Sequence, residues 1–76
     1  MYYIVTNEFN KEFAIVEEEI IQQIAQLINE YALQEIDYLP LAEDQNWDQL
    51  ITEESIKGYR YVTIEEPSEA LEFTLA

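Results

Sequence analysis

The stretch that most constrains the fold is residues 17–33, which predicts one long amphipathic helix. Its apolar residues recur at the spacing that places them on one face of an α-helix: Ile20, Ile21, Ile24, Leu27, Ile28 and Tyr31. The glutamates Glu17, Glu18 and Glu19 open the stretch, where the positive end of the helix dipole favours negative charge. The rest of the chain is expected to be organised around this helix.

A β-hairpin is predicted before the helix. Residues 2–6 are rich in β-branched and aromatic side chains, which favours a strand. Residues 7–11 contain two asparagines, which are common in turns. Residues 12–16 alternate apolar and other side chains and are interpreted as a second strand. A direct continuation into the helix is the alternative for these residues.

A connection and a short helix are predicted after the long helix. The long helix should fray over residues 34–37, and Pro40 favours an extended Leu39. This connection is expected to cover the core with Tyr38, Leu39 and Leu41. A second helix over residues 47–55 follows from a capping-box arrangement and a glycine stop. The capping pair is Asn46 and Gln49, the stop is Gly58, and the inward residues are Trp47, Leu50 and Ile51.

The end of the chain is interpreted as two strands joined by a turn. Residues 59–65 have the strongest strand composition, and residues 66–68 contain the proline of the turn. In residues 71–75, Leu71, Phe73 and Leu75 alternate with polar side chains, as in a strand. The 76 residues therefore predict a single α+β domain. It should be a small antiparallel sheet of three or four strands with the long helix packed on it and the short second helix.

Charge is the outlying property of the composition. Seventeen acidic residues stand against Lys11, Lys57 and Arg60, for a net charge of −14. A surface helix normally mixes both signs, because oppositely charged pairs four residues apart add stability. Hydrophobic residues still make up 49% of the chain, so we expect it to fold. The acids are mostly Glu rather than Asp, which argues against halophilic adaptation as the cause.

The composition also excludes several classes of function. The chain has no Cys, no His and a single Gly, so disulfides, the commonest general base and phosphate-binding glycine loops are excluded. No signal peptide or membrane span is expected, and the net charge should repel nucleic acids and anionic membranes. Asp44, Asn46 and Asp48 match the start of a calcium loop, but Gln49 and Ser55 occupy positions that need Gly and Glu. We expect no enzyme activity, no cofactor and no metal.

Rigidly held carboxylates can imitate a polyanion. Duplex DNA carries one charge per about 1.7 Å, so a net charge of −14 matches about 24 Å of duplex. A nucleic-acid-binding protein would meet these carboxylates with its Lys and Arg residues. The expected partner is therefore the basic surface of such a protein, and the oligomeric state stays open.

In size, charge, lack of Cys and His, and tyrosine content, the chain resembles the small acidic DNA-mimic inhibitors of phages and mobile elements. These include anti-CRISPR and anti-restriction proteins. The resemblance is one of overall character and rests on no shared motif. It implies a stoichiometric inhibitor that occupies the nucleic-acid channel of a CRISPR effector or restriction enzyme in the bacterial cytoplasm. The residues expected to contribute are Glu17, Glu18, Glu19, Glu30, Glu53, Glu54, Glu65, Glu66, Glu69 and Glu72.

Two other functions remain open from the sequence. The chain could be an adaptor or antitoxin-like module that binds one basic protein through a sheet edge and tyrosines such as Tyr59 or Tyr61. In that case one aromatic substitution should abolish binding, whereas a mimic should lose affinity gradually with each carboxylate. It could also be a structural subunit whose charge is balanced by basic neighbours.

Overall fold

The computed structural model describes residues 1–75, which form four strands and three helices. In chain order these are β1 (Tyr2–Asn7), β2 (Glu12–Glu17), α1 (Glu18–Tyr31), β3 (Ile36–Pro40), α2 (Trp47–Ile56), β4 (Arg60–Tyr61) and α3 (Pro67–Leu75). The α+β class predicted from the sequence is confirmed, with a four-stranded sheet and a long helix, α1.

The hairpin of β1 and β2 forms the centre of the sheet, whose strand order is β3-β1-β2-β4. Asn7 starts the turn, and its Oδ1 accepts a hydrogen bond from the Asn10 N–H at 3.0 Å. Lys11 closes the turn with a φ of 56°, in the left-handed region. The predicted strand, turn and strand are confirmed. Residues 12–16 lie in β2, so the alternative, in which they continue into the helix instead of forming a strand, is wrong. β2 is followed directly by α1.

The sheet has two faces because side chains alternate along each strand. Val5 and its partner Ala14 lie in one buried cluster with Ile24 of α1 and Phe73 of α3. Ile4 points to the opposite face, where it lines a hollow with residues from the end of α2. The sheet is therefore a middle layer, with α1 and α3 on one face and α2 on the other.

The helix α1 confirms the strongest prediction from the sequence, except that Tyr31, predicted on its apolar face, is 53% exposed. Ile21, Ile24 and Leu27 are buried, and each such side chain contributes about 1.5–3 kcal/mol through burial. The helix ends where Ala32 adopts a left-handed φ of 52°. Its N–H and that of Leu33 both bond to the Ile28 carbonyl, as in helix C-caps that usually use glycine.

The segment after α1 is a strand rather than a frayed helix end. β3 pairs antiparallel with β1, with Tyr38 opposite Val5. The prediction that Tyr38 and Leu39 cover the core is wrong, because Tyr38 is 41% and Leu39 66% exposed. The central strand β1 supplies the hydrogen-bonding partner that a local sequence pattern does not show.

The predicted position of α2 is confirmed, but its predicted packing is wrong. The Asn46 side chain accepts a hydrogen bond from the Gln49 N–H at 3.1 Å, and Gly58 ends the helix region with a φ of 100°. None of the α2 residues is buried, so the prediction that Trp47, Leu50 and Ile51 face the interior is wrong in degree. Leu50 and Ile51 are half-buried, and Trp47 packs edge-on against Tyr2 with ring centroids 4.7 Å apart.

Of the strand predicted over residues 59–65, only Arg60 and Tyr61 form a strand, β4. β4 runs parallel to β2, so the sheet is mixed rather than wholly antiparallel. After the Val62 N–H bonds to the Phe13 carbonyl, the chain leaves the sheet and buries Ile64 in the core. The segment after β4 therefore buries Ile64 in the core instead of continuing to pair with β2.

The predicted last strand, residues 71–75, is wrong, because these residues belong to α3. Pro67 opens this helix, and the carboxylate of Glu69 accepts hydrogen bonds from the N–H groups just before it. Ala70, Phe73 and Thr74 form its buried face at helical spacing, while Leu71 and Leu75 are exposed. No helix in residues 1–75 combines the length and hydrophobicity needed to cross a bilayer.

Candidate polyanionic interface

The helices α1 and α3 run in the same direction on one face of the sheet. Near their starts, the Gln23 side-chain amide donates a hydrogen bond to the Pro67 carbonyl at 3.5 Å. Near their ends, Leu33 and Leu75 line the same hollow. The first turns of both helices therefore lie toward the end of the sheet where β2 passes into α1, and both first turns carry glutamates.

Six glutamates of β2, α3 and the segment before α3 form what we call the acidic cluster: Glu12, Glu17, Glu65, Glu66, Glu69 and Glu72. The cluster extends from this end of the sheet along α3, and Glu12 lies at the hairpin end of β2, opposite to Glu17. Glu17 and Glu65 line one hollow. Glu69 Oε1 accepts the N–H groups of Glu65 and Glu66 at 3.1 and 3.0 Å. Glu69 also lines a cleft of about 270 Å³ together with Glu12 and Glu72. The tertiary structure thus joins carboxylates from β2, α3 and the segment before α3.

Part of this cluster has a structural role. Glu69 caps the start of α3 through its two backbone hydrogen bonds. Glu18 and Glu19, which adjoin the cluster, lie in the first turn of α1. A carboxylate near a helix N-terminus contributes about 0.3–1 kcal/mol. Helix stabilisation accounts for these three residues, and it applies as well to Glu66, which directly precedes α3. It does not account for Glu72, in the second half of α3.

Few cations offset this charge within residues 1–75. Arg60 pairs with Glu12 of the acidic cluster. Lys57 pairs with Glu54 at 3.3 Å. The Lys11 ammonium lies 5.3 Å from the centre of the Tyr59 ring, in a cation–π contact. All but two of the seventeen carboxylates therefore lack an ion-pair partner in the described part of the chain.

Glu17 is held by a neutral donor rather than a cation. The Tyr2 hydroxyl donates a hydrogen bond to Glu17 Oε1 at 3.1 Å. This bond raises the pKa of the Tyr2 phenol, because deprotonation would remove the donor and place two anions side by side. Tyr2 therefore stays protonated at neutral pH and orients Glu17 without cancelling its charge.

The structure separates the remaining predicted contributors from the acidic cluster. Glu30 is in the last turn of α1, about 16 Å along the helix axis from Glu19. Glu53 and Glu54 belong to α2, on the other face of the sheet. Glu54 is also paired with Lys57 and its side chain is only 13% exposed. The same is true of Glu12 in the acidic cluster, which is paired with Arg60 and 16% exposed. The sequence prediction included the three separated residues and omitted Glu12, which nothing in the local pattern of β2 distinguishes.

The tyrosines proposed for an adaptor surface make internal contacts. The Lys11 ammonium packs over the Tyr59 ring, and the centre of the Tyr61 ring lies 5.4 Å from the centre of the buried Phe13 ring. The Asn46 side chain at the candidate calcium loop caps α2. No group of three or more acidic residues in residues 1–75 has an arrangement that could hold a metal ion.

Comparison with protein-family models, curated proteins and solved structures finds no match to this chain.

Proposed function

We propose that this chain is a nucleic-acid-mimicking inhibitor that occupies the basic nucleic-acid-binding channel of a bacterial defence complex, such as a CRISPR effector. The observation that carries the proposal is the excess of carboxylates without ion-pair partners on a folded frame. Five of them belong to the acidic cluster, whose sixth member, Glu12, is paired with Arg60, and Glu18 and Glu19 adjoin it. The protein acts stoichiometrically, without catalysis, in the bacterial cytoplasm.

The dimensions of the molecule support this proposal. The fold measures 32 × 25 × 19 Å, and a net charge of −14 corresponds to about 24 Å of duplex. The chain therefore carries charge at a density comparable with that of the phosphate backbone. A basic channel would exchange its bound counterions for these carboxylates, so binding weakens steeply as salt is raised.

The test is competition with target DNA for a panel of CRISPR effectors and restriction enzymes. A cluster variant replaces five glutamates by glutamine: Glu18, Glu19, Glu65, Glu66 and Glu72. It leaves the capping residue Glu69 in place. A matched control variant makes the same replacement at five glutamates outside the acidic cluster and outside both ion pairs: Glu8, Glu30, Glu35, Glu43 and Glu53.

Inhibition should fall modestly for each single replacement and by orders of magnitude for the cluster variant. The control variant has the same net charge, so it should lose much less. Unimpaired DNA binding across the whole panel would contradict the proposed function. Equal losses for the two variants would show that total charge, rather than the acidic cluster, determines binding.

A further inference from the structure

The sheet has two edge strands in residues 1–75, and they differ in length. β4 consists of two residues, and very short edge strands resist pairing with other chains. β3 has five residues and pairs only with β1, at the other edge. Four of these five residues, Asp37 to Pro40, are exposed. β3 is therefore the edge at which another strand can be added.

The hydrogen bonds between β1 and β3 show which backbone groups point outward. The Glu8 N–H bonds to the Glu35 carbonyl, and the Leu41 N–H bonds to the Tyr2 carbonyl, each at 2.9 Å. In an antiparallel ladder the bonded residues alternate, so Asp37 and Leu39 also direct their N–H and C=O groups to β1. The backbone groups of Tyr38, and the carbonyl of Pro40, point away from the sheet.

The geometry points to the outer edge of β3 as a docking site for an extended segment of a basic protein, which adds to the sheet as a further strand. In this mode, main-chain hydrogen bonds supply affinity and pockets for alternate side chains supply specificity. A hollow of about 260 Å³ beside the edge, lined by Leu39, Tyr38 and Ile4 among others, receives an apolar side chain of the added strand.

The negative charge around β3 favours a basic segment at this edge. Glu35 precedes β3, Asp37 lies within it, and Glu43 and Asp44 follow it, while residues 12–56 contain no Lys or Arg. Lys57 lines the hollow but is held by Glu54 at 3.3 Å. A second copy of the chain would bring another net charge of −14 to the same edge, so like-charge repulsion disfavours self-pairing. A segment that alternates basic and apolar residues fits both the charge and the hollow.

This proposal requires a basic partner but does not require nucleic-acid mimicry. The Tyr38 variants separate the two proposals because they leave every carboxylate in place, whereas the control variant of the competition assay changes Glu35 and Glu43 beside this edge. The probe is a peptide of about six residues that alternates lysine and valine, a length typical of a strand. Its control is the same peptide N-methylated at alternate residues, which keeps the charge and removes the hydrogen-bond donors of one strand edge. Binding to the full chain is followed by NMR, with amide exchange measured for Tyr38 and Leu39.

We expect the Tyr38 amide to exchange more slowly once the peptide is bound, and the Leu39 amide to change little because it is already bonded to β1. Tyr38→Pro removes the outward N–H without removing a bond to β1, whereas Tyr38→Ala removes the ring and keeps the N–H. The proline variant should bind the peptide about tenfold more weakly than the alanine variant.

Several results would overturn the docking site. They are no peptide binding, equal binding of the N-methylated peptide, or binding that leaves Tyr38 exchange unchanged. Slow Tyr38 exchange in the free protein, together with a dimer in sedimentation, would assign the edge to a second copy instead. The Tyr38 exchange measurement on the unmodified chain keeps the test valid if Tyr38→Pro fails to fold.

Discussion

Asn7 connects three parts of the fold through one buried side chain. Its Nδ2 donates to the Phe73 carbonyl at 2.7 Å, and its Oδ1 accepts from the Asn10 N–H at 3.0 Å. Phe73 is in the last turn of α3, where carbonyl groups lack partners within the helix. Asn7 therefore ties the hairpin turn to the end of α3 while it is only 2% exposed.

Replacement of Asn7 by alanine should lower the free energy of unfolding by about 2–3 kcal/mol, because two hydrogen bonds are lost and a buried carbonyl is left unpaired. Urea denaturation monitored by circular dichroism measures this loss. Asn29→Ala, at an exposed position of α1, is the control and should change stability by no more than about 0.5 kcal/mol. Equal effects of the two substitutions would contradict this role for Asn7.

The C-terminus of α1 stores backbone strain at Ala32. With a φ of 52°, Ala32 occupies a region that glycine adopts at no steric cost. Ala32→Gly should therefore raise the free energy of unfolding by about 0.5–1 kcal/mol, since Ala32 is exposed and loses no packing. The same substitution inside the helix, Ala25→Gly, should lower it by about 1 kcal/mol or more. Chemical denaturation of both variants checks the opposite signs, and a loss of stability for Ala32→Gly would refute the argument.

The elements that the sequence predicts well are those with a strong local pattern. α1 repeats its apolar spacing over several turns, and the hairpin has alternating strands around an asparagine turn. β3 was missed because Asp37 and Pro40 are poor strand residues, and its strand state depends on pairing with β1. α3 was missed because Leu71, Phe73 and Leu75 alternate, although Pro67 followed by Glu69 is a helix-start signal.

The candidate site was less predictable than the elements, for a physical reason. The excess charge can be counted in the sequence, but its distribution depends on contacts between distant segments. Glu12 reaches the acidic cluster because β4 pairs parallel to β2 and because α3 is a helix. Neither feature was predicted. The same non-local packing places Glu53 and Glu54 on the opposite face of the sheet.

At the scale of the whole molecule, the charge that would engage a basic partner also opposes folding. The Debye length is about 30 Å at 0.01 M salt and about 8 Å at 0.15 M. The first value is close to the longest dimension of the fold, 32 Å, so at low salt carboxylates repel one another across the whole molecule. At the higher salt only near neighbours interact, and the repulsion that favours unfolding is weaker.

The melting temperature should therefore rise as sodium chloride is added from about 0.01 to 0.15 M, a range in which screening changes most. Differential scanning calorimetry measures this rise. The cluster variant and its matched control each carry five fewer negative charges, so both should show a smaller rise than the unmodified chain. If the cluster variant shows the smallest rise, the densest repulsion lies in the acidic cluster. A melting temperature that does not respond to salt would mean that the carboxylates do not repel one another enough to affect folding, and the proposed imitation of a phosphate backbone would lose its physical basis.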